Sequence, residues 1–210
     1  MTNKQYGFLF DASKCSGCKA CHIACQDKFN VIDTIKPRRV YEYAGGNFDL
    51  DGKVVHSNDV FSYYTSIGCN HCSHPVCVKA CPTGACHKER ATGIVKIESS
   101  LCVGCKSCAR ACPYDAPQFD QQRGYMIKCD GCIDRVAEGK QPICVESCTM
   151  RALQFGEISE LKQKYPMAKI ANVAPLPSSD ITQPNLLIIE NKNSKSSGSS
   201  EGQLVNEFEV

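Results

Sequence analysis

Sixteen of the 17 cysteines in this chain fall into four groups with gaps regular enough to specify a chemistry. Cys15, Cys18, Cys21 and Cys25 are separated by two, two and three residues, and Cys102, Cys105, Cys108 and Cys112 repeat that spacing. Cys69, Cys72, Cys77 and Cys81 widen the middle gap to four, and Cys129, Cys132, Cys144 and Cys148 widen it to eleven. Only Cys86 is left over. Thiols this dense serve as disulfides, zinc ligands or iron ligands. Disulfides fit poorly, because sulfurs in tandem at this spacing strain a bridge and the sequence's start reads as carrying no export signal. Zinc usually takes two C-x2-C knuckles with a longer spacer, whereas two groups here pack three cysteines into seven residues with a fourth four positions on. That run is the bacterial ferredoxin spacing, in which three sulfurs wrap one iron–sulfur cubane and the fourth reaches its neighbour.

The crossover predicts four ligand sets. Cys69, Cys72 and Cys77 take Cys112, while Cys102, Cys105 and Cys108 take Cys81. Cys15, Cys18 and Cys21 take Cys148, while Cys129, Cys132 and Cys144 take Cys25. Gly17, Gly104 and Gly131 each precede the second cysteine of their group, where a side chain is expected to crowd the inorganic core. Pro82 and Pro113 follow a fourth cysteine and end any short helix there.

These loops need only modest elements to position them. The repeat unit is a cysteine loop followed by a hairpin, as in Ala85–Lys88 and Ile94–Ile97. The expected fold class is α+β: two ferredoxin-like two-cluster modules, one inserted in the other, with short helices and hairpins. Residues 1–62 are the first half of the outer module, with a hairpin insertion over 30–60. Residues 63–118 are the inner module and 119–157 the second outer half. Residues 158–210 hold a short helix, Ile158 to Tyr165, and an extended tail whose low-complexity stretch, Ser194 to Gly202, reads as flexible or wrapped on a partner.

Composition agrees with inorganic stabilisation. The hydrophobic 42% includes the cysteines and there is no Trp, so the conventional apolar core is thin. Runs such as Asn185–Ile189 are far too short to span a bilayer, which takes roughly 18 residues. The formal charge of +2 speaks against a nucleic-acid partner. Sixteen thiolates around four oxidised cubane cores would bring it to about −6. Lys14, Lys19, Lys106 and Lys128, within or beside the loops, are expected to offset that charge. Lys36-Pro37-Arg38-Arg39 reads as a solvated loop, a dock for an acidic partner or a shield for a cluster. His22, His56, His71, His74 and His87 are scattered. His71 and His74 flank Cys72 and read as ordinary polar residues more readily than as ligands. Cys86 beside His87 reads as a spare buried thiol on a strand rather than a nucleophile. No catalytic constellation is present.

With these motifs in place, the sequence closely resembles the iron–sulfur electron-transfer subunits of anaerobic dimethyl sulfoxide reductases, within the four-cluster subunits of molybdenum oxidoreductases. The likeness runs through about residue 190 and is densest at Arg38–Gly46, Ser66–Cys72, Cys112-Pro113-Tyr114 and Lys128–Cys148. Nitrate reductase relatives carry a tryptophan at the position of Cys105 and a three-iron cluster; retention of Cys105 implies four [4Fe–4S] clusters. Thr149 in place of proline and Cys86 in place of methionine depart from the pattern without removing a ligand. The resemblance implies a non-catalytic relay between an integral membrane anchor that oxidises menaquinol and a catalytic subunit with a molybdenum bis-pterin-guanine-dinucleotide cofactor. It implies attachment to the cytoplasmic membrane through the anchor, on the periplasmic face by co-export with the catalytic subunit. The same relay serving a formate, thiosulfate, polysulfide or tetrathionate enzyme, and a structural zinc protein, are the alternatives.

Overall fold

The computed structural model describes residues 4–210 and is a mixed α+β fold of small sheets and short helices. Strand β1 (Tyr6–Asp11) leads into the first cysteine loop, which passes into helix α1 (Ala20–Phe29). A long hairpin follows, β2 (Arg39–Asp51) and β3 (Val54–Ile67), turning at Gly52 with φ 61°. Then come α2 (Val76–Lys79), the hairpin β4 (Cys86–Lys88) and β5 (Val95–Ile97), α3 (Ser107–Ala111), and the hairpin β6 (Gln118–Asp120) and β7 (Tyr125–Ile127). Helices α4 (Ile133–Ala137) and α5 (Ile143–Glu146) precede β8 (Leu153–Glu157), α6 (Ile158–Lys164), β9 (Lys169–Ile170), β10 (Leu186–Ile189) and β11 (Gly202–Leu204). A loop-and-hairpin unit thus occurs twice, ending in β4–β5 and in β6–β7.

The main sheet, ordered β8-β1-β10-β9, is organised by the alternation of β1. Phe8 and Phe10 point into the core that contains Cys21, Cys69, Cys129, Cys144 and Cys148. Leu9 points the opposite way, against Leu161 of α6 and Leu187. One short strand therefore holds the cysteine core on one face and its outer cover on the other.

The low-complexity tail packs back on the rest of the protein. Strand β11 pairs antiparallel with β2, the Lys195 N–H donates to the Tyr63 hydroxyl at 3.2 Å, and Asn206 bridges the Glu42 N–H and the Val40 carbonyl. Its polar composition hides this, because the tail is held by backbone pairing and polar contacts rather than by apolar burial. Among the described residues no helix is long and apolar enough to cross a membrane.

Candidate iron–sulfur centre

In each group the third cysteine lies on a short helix: Cys21 on α1, Cys77 on α2, Cys108 on α3 and Cys144 on α5. The fourth follows about one turn later, which keeps the pair on one side of the backbone. Helix α1 packs on α5, and α2 on α3. Across these contacts Cys25 lies near Cys129, Cys132 and Cys144, and Cys148 near Cys15.

All 17 cysteines are free. Burial pushes the Cys15 thiol up to about 11, and the sulfurs that push it further are Cys21, Cys148 and Cys18. Burial raises Cys72 to about 12, with repulsion from Cys69, Cys112 and Cys77. Cys25 is driven well above its ordinary value by burial and then by Cys129, Cys144 and Cys132. Cys108, raised to about 11 by burial, faces Cys77 of the adjoining set and then Cys102 and Cys81; the fully exposed Cys105 faces Cys81 as well. Several of these neighbours belong to one expected crossover set, and others, such as Cys77 beside Cys108 and Cys144 beside Cys21, join adjoining sets. One expected set has a visible cavity, lined by Cys15, Cys18, Cys21, Cys148 and the side chains of Phe10, Val40, Ser66 and Met150.

These surroundings fit cubane clusters on two counts. Backbone N–H groups are aimed at cysteine sulfurs: Cys86 N at Cys81 Sγ (3.3 Å), Ala152 N at Cys148 Sγ (3.3 Å), Gly131 N at Cys129 Sγ (3.4 Å) and Met126 N at Cys102 Sγ (3.5 Å). Second, among the described residues three cations, Arg38, Arg39 and Lys128, are buried without a carboxylate, and two of them lie among the sulfurs. Arg38 is 1% exposed, donating from Nη1 to the Ser66 hydroxyl (3.1 Å) and lying over the Phe8 ring, with Nε unpartnered. The sulfurs of Cys144, Cys129, Cys21 and Cys25 surround it. Lys128 is 4% exposed, donates only to the carbonyls of Val95 and Cys129, and faces Cys69, Cys129, Cys86 and Cys77. Buried charges are retained only when paired, and cysteines deprotonated by bound iron would supply the counter-charge these two cations lack.

Sequence expectations are corrected at several points. Of the four lysines, only Lys128 is buried among the sulfurs; Lys14 pairs with Asp11, Lys19 with Glu209, and Lys106 lies 4.4 Å from the Phe119 ring centroid. Arg38 and Arg39 are both buried, which overturns the solvated-loop reading of Lys36-Pro37-Arg38-Arg39 and leaves the cluster-shield reading open. The glycines are constrained by neighbouring protein: a Cβ on Gly17 would stand 2.5 Å from the Tyr64 ring, and one on Gly104 2.7 Å from the Gly124 carbonyl. Their shared feature is a left-handed backbone, φ 71°, 66° and 73° at Gly17, Gly104 and Gly131. In the remaining loop His71 takes that place, with φ 45°, and it is wholly buried. Aligning the loops on their second cysteine puts His71 in the glycine column, a signal that spacing alone passes over. Cys86 is a buried thiol on β4, as expected, and its N–H serves Cys81. His56, His74 and His87 stand away from the sulfurs' buried core.

A [4Fe–4S] dicluster domain model matches residues 60–158, and a [4Fe–4S] binding domain model matches 12–29. The sequence is 53% identical over 206 residues to a probable anaerobic dimethyl sulfoxide reductase subunit of Escherichia coli K12, with 98% of each protein covered. It is 52% identical, with the same coverage, to a second anaerobic dimethyl sulfoxide reductase subunit of that organism. A formate dehydrogenase iron–sulfur subunit of Haemophilus influenzae is 36% identical over 163 residues, 73% of this protein and 52% of that one. Domains, cysteines and relatives agree on four [4Fe–4S] clusters in an iron–sulfur electron-transfer subunit. This protein belongs to the family of iron–sulfur subunits of anaerobic dimethyl sulfoxide reductases.

Proposed function

We propose that the sixteen cysteines hold four clusters in the crossover sets, as two nested modules forming one file. The order is the Cys102 set, the Cys69 set, the Cys129 set and the Cys15 set. Cys108 faces Cys77 at the first junction, Lys128 lies beside Cys69 and Cys129 at the second, and Arg38 lies among Cys21, Cys25, Cys129 and Cys144 at the third. When bound, each cluster accepts and returns one electron. The residues hold these groups, keep water from the middle of the file and offset their charge with Arg38 and Lys128.

The observation that carries a relay between two partners is the exposure of its ends. Cys18 and Cys105, in the two terminal sets, are exposed, whereas Cys25, Cys69, Cys129, Cys132 and Cys144 are buried. Apolar side chains lie beside each exposed thiol, Met150 (47% exposed) at one end and Leu101 and Val103 (53% and 67%) at the other. Such patches suit protein docking. The partners are a molybdopterin catalytic subunit and an integral membrane anchor that oxidises quinol, with dimethyl sulfoxide or a related S- or N-oxide as acceptor. Attachment is at the cytoplasmic membrane through the anchor, on its periplasmic face. The 36% identity to a formate dehydrogenase subunit favours the same relay run from formate as the second reading.

Anaerobic purification from native membranes tests this. Copurification of both subunits, with dithionite-bleached clusters recoloured by dimethyl sulfoxide, is expected. A protein that arrives alone, or clusters bleached by formate and indifferent to sulfoxide, contradicts the leading reading.

A further inference from the structure

We infer that His71 is a positioning residue at the junction of the two modules, donating its Nε2–H to the sulfur of Cys129 and thereby raising the reduction potential of the cluster on the Cys129 set. The inference rests on the ligand sets proposed above. Val95 donates its backbone N–H to His71 Nδ1 at 3.1 Å, so Nδ1 keeps its lone pair and the single ring proton sits on Nε2. Nε2 stands 3.9 Å from Cys129 Sγ and has no other acceptor among the described residues. The ring is wholly buried beside Phe8. Its backbone is pinned by two donors on one carbonyl, Asn185 Nδ2 at 2.8 Å and Lys88 Nζ at 3.1 Å.

Sequence and register make the placement specific. The neighbouring residue, Cys72, belongs to the inner Cys69 set, so one residue spans an inner loop and an outer cysteine. Val95 joins the two from the side, its N–H serving His71 and its carbonyl accepting from Lys128, which adjoins Cys129. The left-handed φ of 45° is one that glycine adopts without strain in the other three loops. A purely structural turn would be met more easily by glycine. The imidazole is what this loop has and the others lack. Reduction adds a negative charge to a cluster, and a donor on a ligand sulfur stabilises that state more, which raises the potential.

His71→Gly tests this, because it restores the residue of the other three loops and removes only the ring. In the full-length protein with its copurifying subunits, EPR-monitored titration is expected to show one midpoint lowered by a tenfold change in the reduced-to-oxidised ratio, about 59 mV. The other three midpoints hold. His71→Gln, whose amide can accept from Val95 and donate to sulfur, is expected to recover most of the shift. Unchanged midpoints with all irons retained, or a Gln variant no different from Gly, would overturn the inference. If His71→Gly assembles fewer clusters, wild-type protein labelled with 15N-histidine decides: coupling of a histidine nitrogen to a reduced cluster, persisting in His22→Gln, supports it and its absence overturns it. Wild-type protein short of about sixteen irons would sink the ligand sets instead.

Discussion

The guanidinium of Arg38 lies 4.5 Å from the centroid of the Phe8 ring, in the core that holds the outer cysteines. An aromatic face and the Ser66 hydroxyl are poor substitutes for a carboxylate. The cation is therefore tied to cluster charge. Arg38→Met is expected to lower the midpoints of the clusters on the Cys15 and Cys129 sets by at least about 59 mV each, a tenfold change in the reduction equilibrium. The cluster on the Cys102 set should not move. Potentiometric EPR checks this, and a shift spread evenly over all four clusters would contradict a local role.

Cys86→Met is expected to leave all four clusters in place. The contact to Cys81 comes from the Cys86 backbone N–H, which methionine retains. Loss of about four irons in this variant would make Cys86 a ligand and displace Cys77 or Cys81 from that role.

The crossover has its own signature. Cys112→Ser is expected to alter the cluster of Cys69, Cys72 and Cys77 while sparing that of Cys102, Cys105 and Cys108, its neighbours in sequence. EPR spectra of Cys112→Ser and Cys102→Ser decide this. Identical spectra in the two variants would mean that each group holds its own cluster.

Asp11 closes the turn into the first cysteine loop, accepting from the Ser13 N–H at 3.1 Å and from Lys14 Nζ at 3.0 Å. Burial pushes its pKa up, but the Ser13 hydrogen bonds and Lys14 outweigh that and hold it below the ordinary 3.8. A carboxyl lowered on folding adds stability above its unfolded value and loses it as pH falls through the folded one. Asp11→Asn is therefore expected to lower the melting temperature at pH 7, with the difference from wild type closing below about pH 4. A difference that persists in acid would assign the effect to packing.

The iron–sulfur character of the cysteine groups was legible because ligand spacing is a local, covalent constraint. The hairpin after the second cysteine group and the helix from Ile158 were legible for a similar reason, since turn residues and apolar alternation mark them within a few positions. The burial of Arg38 and Arg39 was one of several readings, and the packing of the tail was not legible. A run such as Lys36-Pro37-Arg38-Arg39 signals solvent by composition, and the anions that reverse this preference are inorganic and absent from the alphabet. The tail's contacts, such as Asn206 on Val40, join residues more than 160 positions apart. His71 lay between these cases, visible once the loops are aligned but hidden while only cysteines are counted.

Metal analysis tests the central claim most directly. Anaerobically purified protein should contain about sixteen irons and sixteen acid-labile sulfides per polypeptide and absorb broadly in the visible. Colourless protein with zinc and no labile sulfide, or iron and sulfide far short of those values, would contradict it.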